Sequence, residues 1–229
     1  YWLVSLSSQA AIFAKNWNRC SMTLRIKICG ITTLEDALAA CEGGADALGF
    51  VLAPEAKKRS RYIEPEAAAA IIGKLPPFIT TVAVVVNETE ERLKQLLKVF
   101  DMLQLHGEES PEICRHLGRY AFKAFRPGPG FTADLLRTWP GDCCLLDSWV
   151  PGDRGGTGVT GDWAMAKQIA AFKKLILAGG LTPENVGDAV RAVRPYAVDA
   201  SGSLEASPGK KDHERIRQFI KAARAAAHA

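Results

Sequence analysis

Two short runs of this sequence end in side chains able to move protons. Lys27-Ile28-Cys29-Gly30 closes an apolar run with a thiol and then a glycine, and Leu145-Leu146-Asp147-Ser148 closes another with a carboxyl group. A thiol there serves as nucleophile or base if its pKa falls from about 8.5 toward neutrality. The alternative is a small buried hydrophobe, the commoner fate of cysteine. A carboxyl group behind two leucines is a candidate general acid if burial disfavours its charged form, and otherwise a loop cap. Three glycine-containing stretches, Gly155-Gly156-Thr157-Gly158, Ala178-Gly179-Gly180-Leu181 and Ala200-Ser201-Gly202-Ser203, offer backbone N–H groups to an anion. Gly156, Gly158, Gly180, Ser201 and Gly202 are the candidate phosphate contacts. Gln104 and His106 alternate onto one side of their run, so His106 lines a pocket or orients a neighbour. Arg61, in Lys58-Arg59-Ser60-Arg61, could grip a carboxylate with a forked pair of hydrogen bonds, or could be a surface charge.

The elements that must position these groups form a repeating unit from residue 24 onward: a β-rich run, a polar or glycine-containing turn, then a helical pattern. The strands are read as Leu24–Cys29, Ala47–Leu52, Thr80–Val86, Met102–Leu105, Ala121–Phe125, Cys143–Leu146, Leu175–Ala178 and Tyr196–Asp199. The helices are read as Leu34–Glu42, Pro65–Lys74, Glu90–Phe100, Ser110–Leu117, Thr132–Trp139, Asp162–Phe172, Pro183–Val193 and Asp212–Ala227. Thr89, Ser110 and Thr182 supply start signals. Runs such as Val82-Ala83-Val84-Val85-Val86 are continuously apolar, as strands buried on both faces are. Eight such units predict a single-domain (βα)8 TIM barrel in the α/β class, with an open doubly wound sheet as the rival. Its active site would lie at the carboxyl ends of the strands, where Cys29, His106, Asp147, Gly180 and Ser201 fall. The long irregular stretch 148–161 after the sixth strand is of the length that often carries function.

Composition narrows the class further. A length of 229 residues suits one sizeable core. The net charge of +4 is spread along the chain without the aromatic-interleaved basic stripe of a nucleic-acid binder. No apolar run approaches the ~20 residues of a membrane span. Six cysteines, at 20, 29, 41, 114, 143 and 144, form no CxxC pair or zinc spacing, so free thiols in a reducing cytoplasm are expected. Residues 1–21 carry Lys15 and Arg19 but no acid, and read as a leader or extension outside a barrel domain of 22–229.

Taken in order, these stretches resemble the phosphoribosylanthranilate isomerase family. The resemblance runs from about Arg25 to Phe219 and rests on Lys27-Ile28-Cys29-Gly30, Gln104-Leu105-His106-Gly107-Glu108, Leu146-Asp147, Gly155-Gly156-Thr157-Gly158, Leu177 through Val186, Val198-Asp199 and Pro208-Gly209-Lys210-Lys211-Asp212. It implies an Amadori rearrangement of N-(5-phosphoribosyl)anthranilate in tryptophan biosynthesis, without cofactor or metal. It further implies Asp147 as the acid, Cys29 as the base, and Arg61 on the anthranilate carboxylate. The glycine loops would hold the phosphate, with His106 and Asp199 lining the pocket. The expected partner is a small phosphosugar, with no nucleic acid or membrane, and the chain would be a monomer or homodimer. Two departures stand out: Ser201-Gly202-Ser203 where the family has Ser-Ser-Gly, and Ala83 and Val85 where it has Gly and Phe. The rival enzymes are the histidine-pathway isomerase, which places an aspartate at the position of Cys29, and indole-glycerol-phosphate synthase, which needs a lysine near the first strand end, where Lys27 lies. A catalytically inactive phosphosugar-binding barrel is the rival from another class, and retention of Cys29 and Asp147 speaks against it.

Overall fold

The computed structural model describes residues 23–147 and 163–228. The long stretch after the sixth strand, with Gly156 and Gly158, and the leader therefore lie outside the described residues. Eight parallel strands close into a barrel in sequence order, β8 pairing back onto β1. They are β1 Arg25–Cys29, β2 Ala47–Val51, β3 Thr80–Val85, β4 Met102–Leu105, β5 Ala121–Phe125, β6 Cys143–Leu146, β7 Lys174–Leu177 and β8 Ala197–Ala200. Among the described residues seven α-helices cover the barrel: α1 Leu34–Gly43, α2 Pro65–Ile72, α3 Glu90–Leu96, α4 Pro111–Leu117, α5 Trp163–Ala170, α6 Val186–Val193 and α7 His213–Ala227.

The continuously apolar strands face two different cores. Ile26, Ile28, Leu48, Phe50, Ala83, Val85, Leu103, Leu105, Leu175, Leu177 and Val198 point outward to the helices. The alternate positions Val82, Phe122, Ala124, Leu145, Ile176 and Ala197 point inward and fill the barrel. Helix α6 shows the complementary period: Val186, Ala189, Val190 and Val193 form one buried stripe.

Local chemistry sets most boundaries. Thr33 caps α1 by accepting from the Asp36 N–H, and Gly44 ends it in the left-handed conformation at φ 95°. Thr89 caps α3 and Asp212 caps α7 in the same manner. Three expected helices differ. The one expected over Glu90–Phe100 ends at Leu96. Thr132–Trp139 contains only a 3-10 turn, Ala133–Leu136. The helix expected from Pro183 begins at Val186, since Thr182 to Asn185 form a turn instead.

After β8 the chain makes a 3-10 turn, Gly202–Leu204, and a small hairpin of β9 Glu205–Ser207 and β10 Lys210–Lys211. The hairpin crosses the barrel mouth. Gly209 accepts from the Thr32 hydroxyl at 2.7 Å, so the strap ties the loop after β1 to the end of the barrel.

Candidate active site

Cys29 ends β1 and Asp147 directly follows β6, both on the inward side and both buried. The Asp147 backbone N–H donates to Phe125 at 2.9 Å, which fixes the carboxyl group relative to β5. Its Oδ2 lies 3.7 Å from His106 Nε2. With the Gln104 amide donating to His106 Nδ1 at 2.8 Å, the ring hydrogen sits on Nε2 and faces Asp147. The sequence placed Gln104 and His106 on one side, and the two side chains do bond to each other.

Around Cys29 the setting is charged. Lys27 lies two residues earlier on the same face, and its Nζ donates to Asp199 Oδ1 at 2.9 Å. Burial pushes the Cys29 thiol above its ordinary range; the Lys27 ammonium opposes that push, and Asp199 adds to it. Burial also pulls Lys27 down, but Asp199 and then Cys29 outweigh it, and the amine is held above its usual value.

Gly30, at φ 76°, is where the mouth converges. A Cβ there would meet the Ser201 hydroxyl at 2.8 Å and both Arg61 Cδ and Lys211 Nζ at 3.4 Å. Arg61 donates through Nε and Nη2 to the two oxygens of Glu205 at 2.7 and 2.9 Å. The same Glu205 accepts from Lys211 at 3.1 Å. Burial raises the Glu205 carboxyl, yet Arg61 and Lys211 together hold it below its ordinary value.

The loop after β7 turns through Gly179 and Gly180, with φ of 81° and 65°. It is fixed by Asn185, which donates to the Gly180 carbonyl at 2.8 Å and accepts from the Thr182 N–H at 2.8 Å. The Ser203 hydroxyl donates to the Leu181 carbonyl and so ties this loop to the turn after β8. The Ser203 hydroxyl hydrogen is thereby engaged within the protein. The functional surroundings missed by sequence reasoning are Gly49, Asn185, Glu205 and Lys211. Among the described residues no group of three or more His, Cys, Asp or Glu is arranged to hold a metal ion.

A closed eight-strand barrel with a thiol, a carboxyl group and glycine loops at its carboxyl-end mouth defines a (βα)8-barrel enzyme working on a small anionic substrate. The family profile of N-(5'phosphoribosyl)anthranilate (PRA) isomerase matches residues 26–222, and the chain belongs to that family. It is 49% identical over 208 residues to the N-(5'-phosphoribosyl)anthranilate isomerase of Geobacter sulfurreducens, covering 88% of this chain and 98% of that one. A crystal structure of phosphoribosyl anthranilate isomerase in complex with reduced 1-(o-carboxyphenylamino)-1-deoxyribulose 5-phosphate is 40% identical, with a TM-score of 0.73, over 88% of this chain and 99% of the other. A structure of monomers generated from the dimeric isomerase of Thermotoga maritima matches with the same TM-score of 0.73 at 40% identity, over 88% of this chain and 99% of the other. The activity is therefore the isomerisation of N-(5'-phosphoribosyl)anthranilate, an intramolecular aldose–ketose conversion in tryptophan biosynthesis.

Proposed function

We propose that Asp147 and Cys29 are the acid and base of this isomerisation. Asp147 protonates the furanose oxygen and the ring opens to a protonated imine. Cys29, as thiolate, then removes the C2 proton, and the enolamine becomes the ketone. The observation carrying this reading is the placement of both groups, buried and inward, at the ends of β1 and β6, non-adjacent strands of one mouth. The imine formed by Asp147 is a cation, which acidifies C2 before Cys29 acts. The purified chain should convert N-(5'-phosphoribosyl)anthranilate, and its gene should restore growth to a tryptophan auxotroph lacking this isomerase. Failure of both would overturn the reading.

Arg61 holds the anthranilate carboxylate. The Glu205 fork takes Nε and Nη2 and fixes the guanidinium plane. The phosphate lies between Gly180 and Ser201-Gly202, with Gly156 and Gly158 as further contacts, and His106 and Asp199 line the pocket. Dense N–H presentation at glycines supports that assignment. Gly180→Ala puts a side chain where backbone must approach the dianion, so KM should rise about tenfold or more with a smaller change in kcat. An unchanged KM in a folded variant would place the phosphate elsewhere.

The isomerase works as a homodimer in the cytoplasm, where its cysteines stay reduced, and its barrel unit is residues 22–229 with 1–21 outside it. The support for a dimer comes from the amino-terminal face. Phe78 is fully exposed, on a left-handed backbone at φ 69°. It borders a hollow of about 560 Å³ lined also by Ile79, Thr80, Met102 and Tyr120 and by the charged Asp101 and Arg119. A two-fold axis would let each Phe78 enter the other's hollow, the self-complementary contact that a cyclic dimer needs. Phe78→Glu should shift the sedimentation or light-scattering mass to that of a monomer with turnover largely retained. A wild-type chain that is already monomeric would sink this reading.

A further inference from the structure

The barrel interior beneath the mouth holds the apolar Val82, Phe122, Ala124, Leu145, Ile176 and Ala197, the polar Gln104 on β4, and the Lys27–Asp199 pair in register on β1 and β8. Both are buried, at 3% and 8% exposure. Burying two charges costs several kcal/mol per ion, so a pair in this place adds little stability over apolar filling. Its position suggests a different use. Lys27 lies on the same face as Cys29, and Gly49 on β2 leaves open the space both side chains occupy. A Cβ on Gly49 would fall 2.7 Å from Cys29 Sγ and 3.0 Å from Lys27 Nζ.

We propose that Lys27 is a positioning residue for the reaction, its ammonium anchored by Asp199 and set against the Cys29 sulfur so that the thiolate is stabilised where the C2 proton must be taken. This rests on the reading of Cys29 as the base. The charged groups facing Cys29 are Lys27 on β1, Asp199 on β8 and Lys211 on the hairpin, while Gly49 on β2 brings none. Arg61 approaches at Gly30, and Asp147 and His106 stand across the mouth. Among these, Lys27 is the strongest influence favouring the thiolate, Lys211 is a weaker one, and Asp199 opposes both. The Asp199 contact also keeps Lys27 protonated. A charged amine cannot attack a carbonyl, which sets Lys27 apart from the nucleophilic lysines of imine-forming enzymes.

The test is a pH titration of Cys29 in the full chain. It is followed by carbon NMR of Cβ-labelled cysteine and assigned by the signal lost in Cys29→Ala. In Lys27→Met the thiolate fraction at a fixed pH below the midpoint should fall about tenfold or more, the consequence of a midpoint moved upward. In Asp199→Asn it should rise, and the double variant should fall between the two. Turnover of Lys27→Met should drop in step with the thiolate fraction while KM moves little. Identical titrations in wild type, Lys27→Met and Asp199→Asn would overturn the proposal. If Lys27→Met fails to fold because Asp199 is left unpaired, the other two variants decide: titrations equal to wild type in both overturn it. A Cys29→Ala enzyme with near-normal turnover would instead remove the base reading, a result visible without any titration.

Discussion

Cys29→Ala is expected to lower kcat by at least about 10²-fold, the usual contribution of a positioned acid–base group. Little else should change. The sulfur is a small buried atom, and its loss leaves a cavity smaller than a methyl-sized void at the open side of Gly49. Lys27 keeps Asp199 as its partner, so no charge is left unpaired. The melting temperature should therefore stay within a few degrees of wild type. KM should also hold, because the base acts on the C2 proton in the transition state and makes no ground-state contact that binding depends on. Steady-state kinetics on the folded variant decide the matter. Near-normal turnover would remove Cys29 from the mechanism and leave it as the buried hydrophobe that its residue type permits.

The contrast between Cys29 and its neighbours shows what was legible in the sequence. Strand identity and facing came from local periodicity: eight apolar runs ended within about two residues of the observed strands, and alternation put Gln104 with His106. The polar residues at strand ends, Cys29, Asp147 and Ser201, followed from the barrel's geometry once the strands were counted. What stayed hidden was long-range pairing. Asp199 lies 172 residues from Lys27, and Glu205 lies 144 from Arg61, so no local pattern links either pair. Lys27 was read only as the lysine of a rival enzyme, since nothing nearby signals that a carboxylate neutralises it. Gly49, in Ala-Leu-Gly-Phe-Val, reads as an ordinary strand residue until Cys29 and Lys27 are seen filling the space it leaves. The segment after β5 failed for a different reason. Its apolar spacing is helical, but the chain makes a single 3-10 turn there.

Asp147→Asn should cost as much as the loss of the base, by a cleaner route. The substitution keeps the volume and planar shape of the side chain and removes the transferable proton. The residue is held by its backbone bond to Phe125, which does not depend on the side chain, so the amide should occupy the place of the carboxyl group. Its oxygen can still accept from His106 Nε2, which faces Asp147 now at 3.7 Å. Replacing a buried carboxyl group by an amide adds no buried charge, so stability should be unchanged or slightly higher. Ring opening, however, needs a proton on the furanose oxygen before the C1–O bond can break. An amide is far too weak an acid to supply it. Turnover should fall by about 10²–10⁴-fold. Calorimetric binding of a reduced aminodeoxyribulose phosphate should stay within a few-fold of wild type, because that ligand is already open and asks nothing of the acid. The separation of lost turnover from kept affinity is what a purely structural Asp147 would not produce. If the folded variant retains most of its activity, the acid lies elsewhere; if it loses affinity and turnover together, Asp147 binds substrate rather than protonating it.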